Sequence, residues 1–123
     1  MIKKILLIED SPERQFVIQT YLPKTPHHLD IANDGDEGVY KVVKGDYDVI
    51  LMDMQMPVMD GLEATRQLRD KAVFDKVPII ALTASADTDS VRMGIEAGCD
   101  EHLPKPVQTK ELFELLDRYL TTP

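Results

Sequence analysis

Cysteine occurs once in this chain, at Cys99, so no internal disulfide can form and the sequence suits a reducing compartment such as the cytoplasm. No nucleophile motif surrounds Cys99, and a small side chain after Gly98 reads as buried filler. Long apolar runs are missing too, since no stretch approaches the ~20 residues of a membrane-spanning helix. The N-terminal run Ile5-Leu6-Leu7-Ile8 stops at Glu9-Asp10, too early for a signal peptide, and reads as a strand. Positive charge is scarce: 14 Lys and Arg against 22 Asp and Glu give a net charge of −8. Such an acidic surface repels phosphate backbones and argues against direct nucleic-acid binding. Internal repeats, low-complexity tracts and flexible linkers are absent as well. What is present, 123 residues with 43% hydrophobic and 29% charged content, is the make-up of one soluble globular domain over 1–123, large enough for a core of its own.

The chain is organised around one stretch. Tyr47, Val49, Ile50, Leu51 and Met52 are apolar, too short a run for a globular helix and right for a strand buried on both faces of a parallel sheet. That strand stops at the carboxylate Asp53, where ligands of open parallel sheets bind. Before it, residues 3–8 read as a strand, and Ser11-Pro12 as the N-cap and first position of a helix. Val17, Ile18, Tyr21 and Leu22 give that helix its apolar face up to Pro23. Residues 27–32 are a weaker strand suited to the sheet edge, and the adjacent His27 and His28 point to opposite faces rather than forming a metal pair. Asn33-Asp34-Gly35-Asp36 turns into a helix carrying Val39, Val42 and Val43, closed by Gly45.

After Gly61 a polar helix runs over 62–71, and residues 77–82 form another buried strand ending at Thr83. A polar loop then leads into a helix with Val91 and Ile95 on one face and Gly98 as its stop. Residues 99–104 are the last strand, broken by Lys105-Pro106. Val107, Leu112, Leu115, Leu116, Tyr119 and Leu120 mark a final amphipathic helix. Met52, Met54, Met56 and Met59 read as core and loop filler. Five strand–helix units imply right-handed crossovers and an α/β, doubly wound, five-stranded parallel sheet. The expected strand order is 2-1-3-4-5, that of flavodoxin-like folds.

In that order strands 1 and 3 are neighbours, and Glu9, Asp10 and Asp53 gather at one edge. Three packed carboxylates repel unless a cation sits among them. Hard oxygen ligands with room for water and a phosphoryl oxygen favour Mg²⁺, with Mn²⁺ or Ca²⁺ the other hard ions and zinc disfavoured. The same edge receives Thr83 from strand 4 and Lys105 from strand 5. Taken singly, Thr83 is a strand-end cap and Lys105 a solvated charge. Together the five suit transfer of a phosphoryl group to Asp53, with Lys105 supplying positive charge and Thr83 a hydrogen bond.

Glu9-Asp10, the stretch Asp53-Met54-Gln55-Met56-Pro57-Val58-Met59-Asp60-Gly61, Thr83-Ala84 and Lys105-Pro106 together resemble the receiver domain of two-component response regulators over essentially the whole chain. The resemblance implies Asp53 as phosphoacceptor, with Asp10, Asp53 and the backbone carbonyl of Gln55 as Mg²⁺ ligands and Glu9 holding metal-bound water. It implies Thr83 as the switch hydroxyl, Lys105 as the phosphoryl-binding lysine, a cis Lys105-Pro106 bond, and Gln55 and Ser85 flanking the path of hydrolytic water. Where the family usually has Tyr or Phe, three residues before Lys105, this chain has His102, read either as a tolerated polar strand residue or as an imidazole taking the aromatic's part in the switch.

The implied function is a signalling module rather than a dedicated enzyme. A sensor histidine kinase or phosphotransfer protein would donate from phosphohistidine, docking near helix 1 and the Lys105 loop. The face of helix 4, strand 5 and helix 5 would then act on an unknown protein target, as a monomer or a phosphorylation-dependent dimer. Residues beyond helix 5 are too few for an output domain, so either a single-domain regulator or the N-terminal receiver of a longer protein is expected. The alternatives fit less well. Dehalogenase-like phosphatases place a second aspartate where this chain has Gln55, and a flavin phosphate would be repelled by Glu9-Asp10. A phosphorylation-independent scaffold would have no need of the acceptor, both acids and the lysine.

Overall fold

A computed structural model describes residues 2–54, 61–70, 77–83 and 88–120. Five strands, β1 (Lys4–Ile8), β2 (His28–Ala32), β3 (Val49–Asp53), β4 (Ile79–Thr83) and β5 (Glu101–Pro104), alternate with five helices, α1 (Pro12–Tyr21), α2 (Gly35–Lys44), α3 (Gly61–Asp70), α4 (Thr88–Ala97) and α5 (Thr109–Leu120). The strands form one sheet in the order β2-β1-β3-β4-β5, every pairing parallel, as the alternation of apolar runs and helical periodicity requires.

Strand residues alternate faces, and the core divides accordingly. Ile5, Leu7, Val49, Leu51, Ile80 and Leu82 pack with Ile18 and Leu22 near α1 and with Leu112 and Leu116 of α5. Leu6, Ile8, Ile50, Met52, Ile79 and Ala81 pack with Val42 of α2 and with Ala64 and Leu68 of α3. Every residue of β3 is buried. The strand holding Asp53 is thereby clamped by two neighbouring strands and two apolar layers, so its carboxyl end is a fixed point.

Local chemistry sets the ends of the elements. Ser11 caps α1, its hydroxyl accepting from the Arg14 N–H at 3.4 Å, and Asp34 caps α2, accepting from the Glu37 N–H at 2.8 Å. A 3-10 turn over Leu22–Lys24 follows α1, so Pro23 lies inside that turn. Gly98 ends α4 at φ +119, a conformation only glycine adopts without steric conflict. β4 starts two residues later than the apolar run, because Pro78 has no N–H to give the ladder; its carbonyl still accepts from the Ile50 N–H at 2.9 Å. β5 starts at Glu101 because Asp100 turns its side chain back, accepting from the Ile79 N–H and from Arg69, both at 2.9 Å.

Three apolar residues assigned to helix faces lie in solvent instead. Val17, Val43 and Ile95 are 38%, 48% and 60% exposed. Among the described α4 positions the buried ones are Gly94 and Ala97, and Ile95, next to Gly94 in the chain, faces outward. On α2 the buried Gly35, Gly38 and Val42 define the inner face, with Gly38 lying directly against Ile8. Of the histidine pair, the His27 ring accepts from the Lys3 N–H at 3.2 Å, and His28 pairs with Asp30 at 2.7 Å. The two rings serve separate contacts. The methionine assignments hold for Met52, buried in the core, and Met54, packed partly against it; Met56 and Met59 lie outside the described residues.

Gly61 joins fold to site. A β-carbon there would run into the Asp53 carbonyl oxygen and come within 2.7 Å of the Met54 α-carbon, backbone atoms that cannot yield. Gly61→Ala is expected to destabilise the protein by ~1–3 kcal/mol in urea unfolding, as overpacking does. Gly94→Ala, whose β-carbon would meet nothing within 4 Å, is expected to be neutral or to stabilise α4 by up to ~1 kcal/mol.

Candidate functional site

The parallel sheet sends the carboxyl ends of β1, β3, β4 and β5 to one edge, and a candidate residue sits at each. Asp53 and Thr83 are the last residues of β3 and β4. Glu9 follows β1, its N–H donating to the Ala32 carbonyl at 3.0 Å, and Lys105 follows β5, its N–H donating to the Thr83 carbonyl at 2.7 Å. Main-chain bonds thus carry the ladder past the strands and hold the site's backbone. The Lys105–Pro106 bond is cis, as the resemblance implied.

Within this frame Glu9, Asp10 and Asp53 each offer an oxygen, and the three oxygens lie within 4.8 Å of one another. Glu9 and Asp53 are buried, where an uncompensated charge is strongly disfavoured. Lys105 Nζ donates to Asp53 Oδ1 at 2.5 Å. Glu9 accepts from the Ser11 N–H at 3.1 Å and from Arg14 Nε at 3.0 Å. Burial, and next a hydrogen bond shared with Asp53, nevertheless raise the Glu9 carboxyl from 4.5 to about 7, against the opposing pull of Arg14 and Ser11.

The chemistry of the donors fits a hard divalent cation. All three are carboxylates, without the nitrogen or sulfur that would select zinc. Asp10 Oδ1 is buried yet accepts no hydrogen bond among the described residues, leaving it acceptor capacity for a metal. Thr83 Oγ1 is likewise buried without a hydrogen-bond partner among the described residues. His102 is half-buried, stands opposite Ala81 in the register and lines a small cavity with Thr83, Val91, Ile95 and Cys99. Cys99 is indeed a buried filler, its thiol 3.7 Å from the Thr65 hydroxyl and pushed up in pKa by burial. The Gln55 carbonyl and Ser85 lie outside the described residues.

Two residues absent from the sequence-based set belong to the site. Arg14 bonds Glu9 and also lies 3.7 Å from Asp10 Oδ1 and 3.8 Å from Asp53 Oδ2. Its signal was available: a cation four residues after Asp10, on a helix starting beside the acid pair. Gln15 Nε2 donates to the Glu9 carbonyl at 2.7 Å and to Asn33 Oδ1 at 2.9 Å, tying β1 to the turn before α2; nothing in the sequence marks it. Beside the acids opens a cleft of about 320 Å³, walled by Arg14, Val17, Ile18, Lys105, Pro106 and Val107.

The family model for the response regulator receiver domain matches residues 5–117. Among curated relatives, the transcriptional regulatory protein ResD of Bacillus subtilis is 37% identical over 109 residues, a match covering 89% of this chain and 44% of ResD. The chain spans only 4 to 49% of the length of the first curated relatives it matches. Among solved structures, the receiver domain of sensor histidine kinase PA1611 from Pseudomonas aeruginosa PAO1, with a magnesium ion coordinated in its active-site cleft, is 37% identical at a TM-score of 0.91, covering 99% of this chain and 100% of that one. The receiver domain of Saccharomyces cerevisiae Ssk1, solved with the histidine phosphotransfer protein Ypd1, is 30% identical at a TM-score of 0.90, covering 95% and 88%.

The raised Glu9 carboxyl has a measurable effect in metal-free protein. Folded Glu9 keeps its proton up to about pH 7 whereas the unfolded chain releases it near 4.5, so folding takes up a proton between those values. In EDTA, the Glu9 contribution to stability is expected to be full below pH 4.5 and to fall by up to ~3 kcal/mol as pH rises through 7. Glu9→Gln, which cannot titrate, should remove that part of the slope in urea titrations across the range; a wild-type slope in the variant would assign the loss to other groups.

Proposed function

The chain belongs to the response regulator receiver domain family, and on that premise we propose that Asp53 accepts a phosphoryl group from a phosphohistidine on a sensor histidine kinase or phosphotransfer protein. The observation that carries this reading is the convergence of Asp53 with two further carboxylates within 4.8 Å and with Lys105 at 2.5 Å. In the transfer an Asp53 carboxylate oxygen forms the new bond to phosphorus as the nitrogen–phosphorus bond breaks, and the departing imidazole keeps the electron pair and takes up a proton.

Glu9, Asp10 and Asp53, with the Gln55 carbonyl, would hold Mg²⁺ or Mn²⁺, which when bound offsets the charge on the phosphoryl oxygens. Lys105 does two things. Its ammonium restrains the Asp53 carboxylate through Oδ1, and it supplies positive charge where phosphoryl charge arrives. Thr83 donates its hydroxyl hydrogen bond to a phosphoryl oxygen. Slow self-dephosphorylation by water belongs to the same reading, in which the domain is a signalling module and no dedicated enzyme.

Phosphorylation then shifts a two-state equilibrium. Thr83 and His102 share a cavity with Val91 and Ile95 of α4, so movement of the Thr83 side chain bears on both α4 and β5. The face of α4, β5 and α5 is the proposed output surface for a downstream protein, in a monomer or a phosphorylation-dependent dimer. The donor would dock at α1, where Phe16 and Val17 are exposed next to the cleft that leads to Lys105. A cytoplasmic setting suits the single thiol and the histidine-kinase donor, and no helix among the described residues is long and apolar enough to cross a membrane.

Intact-mass analysis after incubation with acetyl phosphate or phosphoramidate tests the proposal. Wild-type protein with Mg²⁺ is expected to gain one phosphoryl group, acid-stable and labile to hydroxylamine, while Asp53→Asn and EDTA-treated protein gain none. Folded, Mg²⁺-bound protein that takes no phosphoryl group from either donor would replace the phosphoacceptor reading with a phosphorylation-independent interaction scaffold.

A further inference from the structure

Arg14 contacts all three carboxylates of the site. Its Nε bonds Glu9 Oε1 at 3.0 Å, and its Nη2 stands 3.7 Å from Asp10 Oδ1 and 3.8 Å from Asp53 Oδ2. Among the described residues Lys105 is paired with Asp53 and with no other carboxylate, and its side chain is only 14% exposed. The Arg14 side chain is 47% exposed and rises from the first turn of α1, so it has solvent to swing into. Its stem also walls the cleft beside Lys105.

We propose that Arg14 is a built-in counter-ion that occupies the acid cluster in the metal-free protein and competes with the divalent cation for Asp10 and Asp53. The proposal rests on the reading of Glu9, Asp10 and Asp53 as a divalent-cation site. Two positive groups at contact distance from the same two oxygens repel, and a guanidinium held by Nε to Glu9 cannot stay against both aspartates beside an ion. Loading therefore requires Arg14 to leave the aspartates and move along the wall of the cleft. Three consequences follow. The guanidinium limits the repulsion that would otherwise strain the metal-free fold, it weakens apparent cation affinity, and it makes the charge at the cleft depend on whether the cation is bound.

Calorimetric Mg²⁺ titration of the intact chain separates this proposal from the site reading beneath it. Arg14→Gln, which keeps a long polar side chain without the charge, is expected to bind Mg²⁺ roughly tenfold more tightly than wild type, within the usual range of coupling between sites. Arg14→Lys, a compact ammonium unable to bridge the three acids, should fall between. Thermal denaturation in EDTA should show Arg14→Gln melting below wild type, with the deficit closed by saturating Mg²⁺. In wild type, the Arg14 Nε–Hε NMR resonance, assigned by its loss in Arg14→Gln, should shift with the same midpoint as Mg²⁺ binding. Equal Mg²⁺ affinity in wild type and Arg14→Gln, with binding lost in Asp10→Asn, would overturn the counter-ion and leave the metal site standing. Undiminished binding in Asp10→Asn would overturn the site reading, and the counter-ion with it.

Discussion

Three carboxylates are held at one edge of a sheet that cannot move apart, and most of the local structure answers that repulsion. Glu9 and Asp53 end or follow adjacent strands, β1 and β3, whose register pairs Ile8 with Met52, so the ladder itself fixes their separation. Clamped by β1 and β4 and buried on both faces, β3 cannot slide to relieve it. What remains is compensation: the Lys105 ammonium on Asp53, the Arg14 guanidinium across all three acids, the Ser11 N–H on Glu9, and a raised Glu9 pKa that lets a proton replace a charge. A folded domain gains nothing in stability from such a cluster. On the proposed function, the cluster is understandable as preparation for charge arriving from outside, a divalent cation and a phosphoryl group.

The features that translate this chemistry into position are ordinary packing devices. Gly61 brings the start of α3 against the Asp53 carbonyl, and Gly38 brings α2 against Ile8. Gln15 ties the Glu9 carbonyl to Asn33. Each acts on the last residue of a strand or on the one just beyond it, the places where ladder hydrogen bonds thin out and side chains would otherwise wander. The site is rigid at its backbone and adjustable in its side chains, an arrangement suited to a switch that keeps its fold.

Much of this was legible in the sequence, for a physical reason. Parallel strands buried on both faces have to be continuous apolar runs, and their right-handed crossovers leave few topologies, so the order of the strands and the edge where their ends meet follow from pattern alone. Glu9, Asp10, Asp53, Thr83 and Lys105 could be placed together without coordinates. Helix faces were less legible. Spacing paired Val91 with Ile95 and placed Val43 inward, but Ile95 and Val43 face solvent, and the inner face of α2 joins Val42 to Gly35 and Gly38, glycines that carry no hydrophobic signal although Gly38 lies directly against Ile8. Arg14 was hidden differently. A long cation on an exposed helix usually lies in water, and only the position of α1 over the strand ends turns it back onto the acids.

The link proposed between the site and a distant surface runs through β4. Lys105 donates its N–H to the Thr83 carbonyl, and the Met54 N–H donates to the Leu82 carbonyl at 3.1 Å, so the backbone on either side of the Thr83 side chain is held between the ends of β3 and β5. A new charge at Asp53 therefore cannot be answered by moving this backbone; it can be answered by turning the Thr83 side chain, whose hydroxyl has no hydrogen-bond partner among the described residues to give up. Ala81, two residues back on the same face, is too small to fill the space opposite it, and there His102 and Ile95 border the cavity that Thr83 also lines. Any turn of Thr83 changes the shape of that cavity. Because cores are close-packed and respond in discrete rearrangements, α4 and His102 are the groups that would follow in the proposed switch, and Ile95, which borders the cavity and is also exposed, would carry the change to the surface.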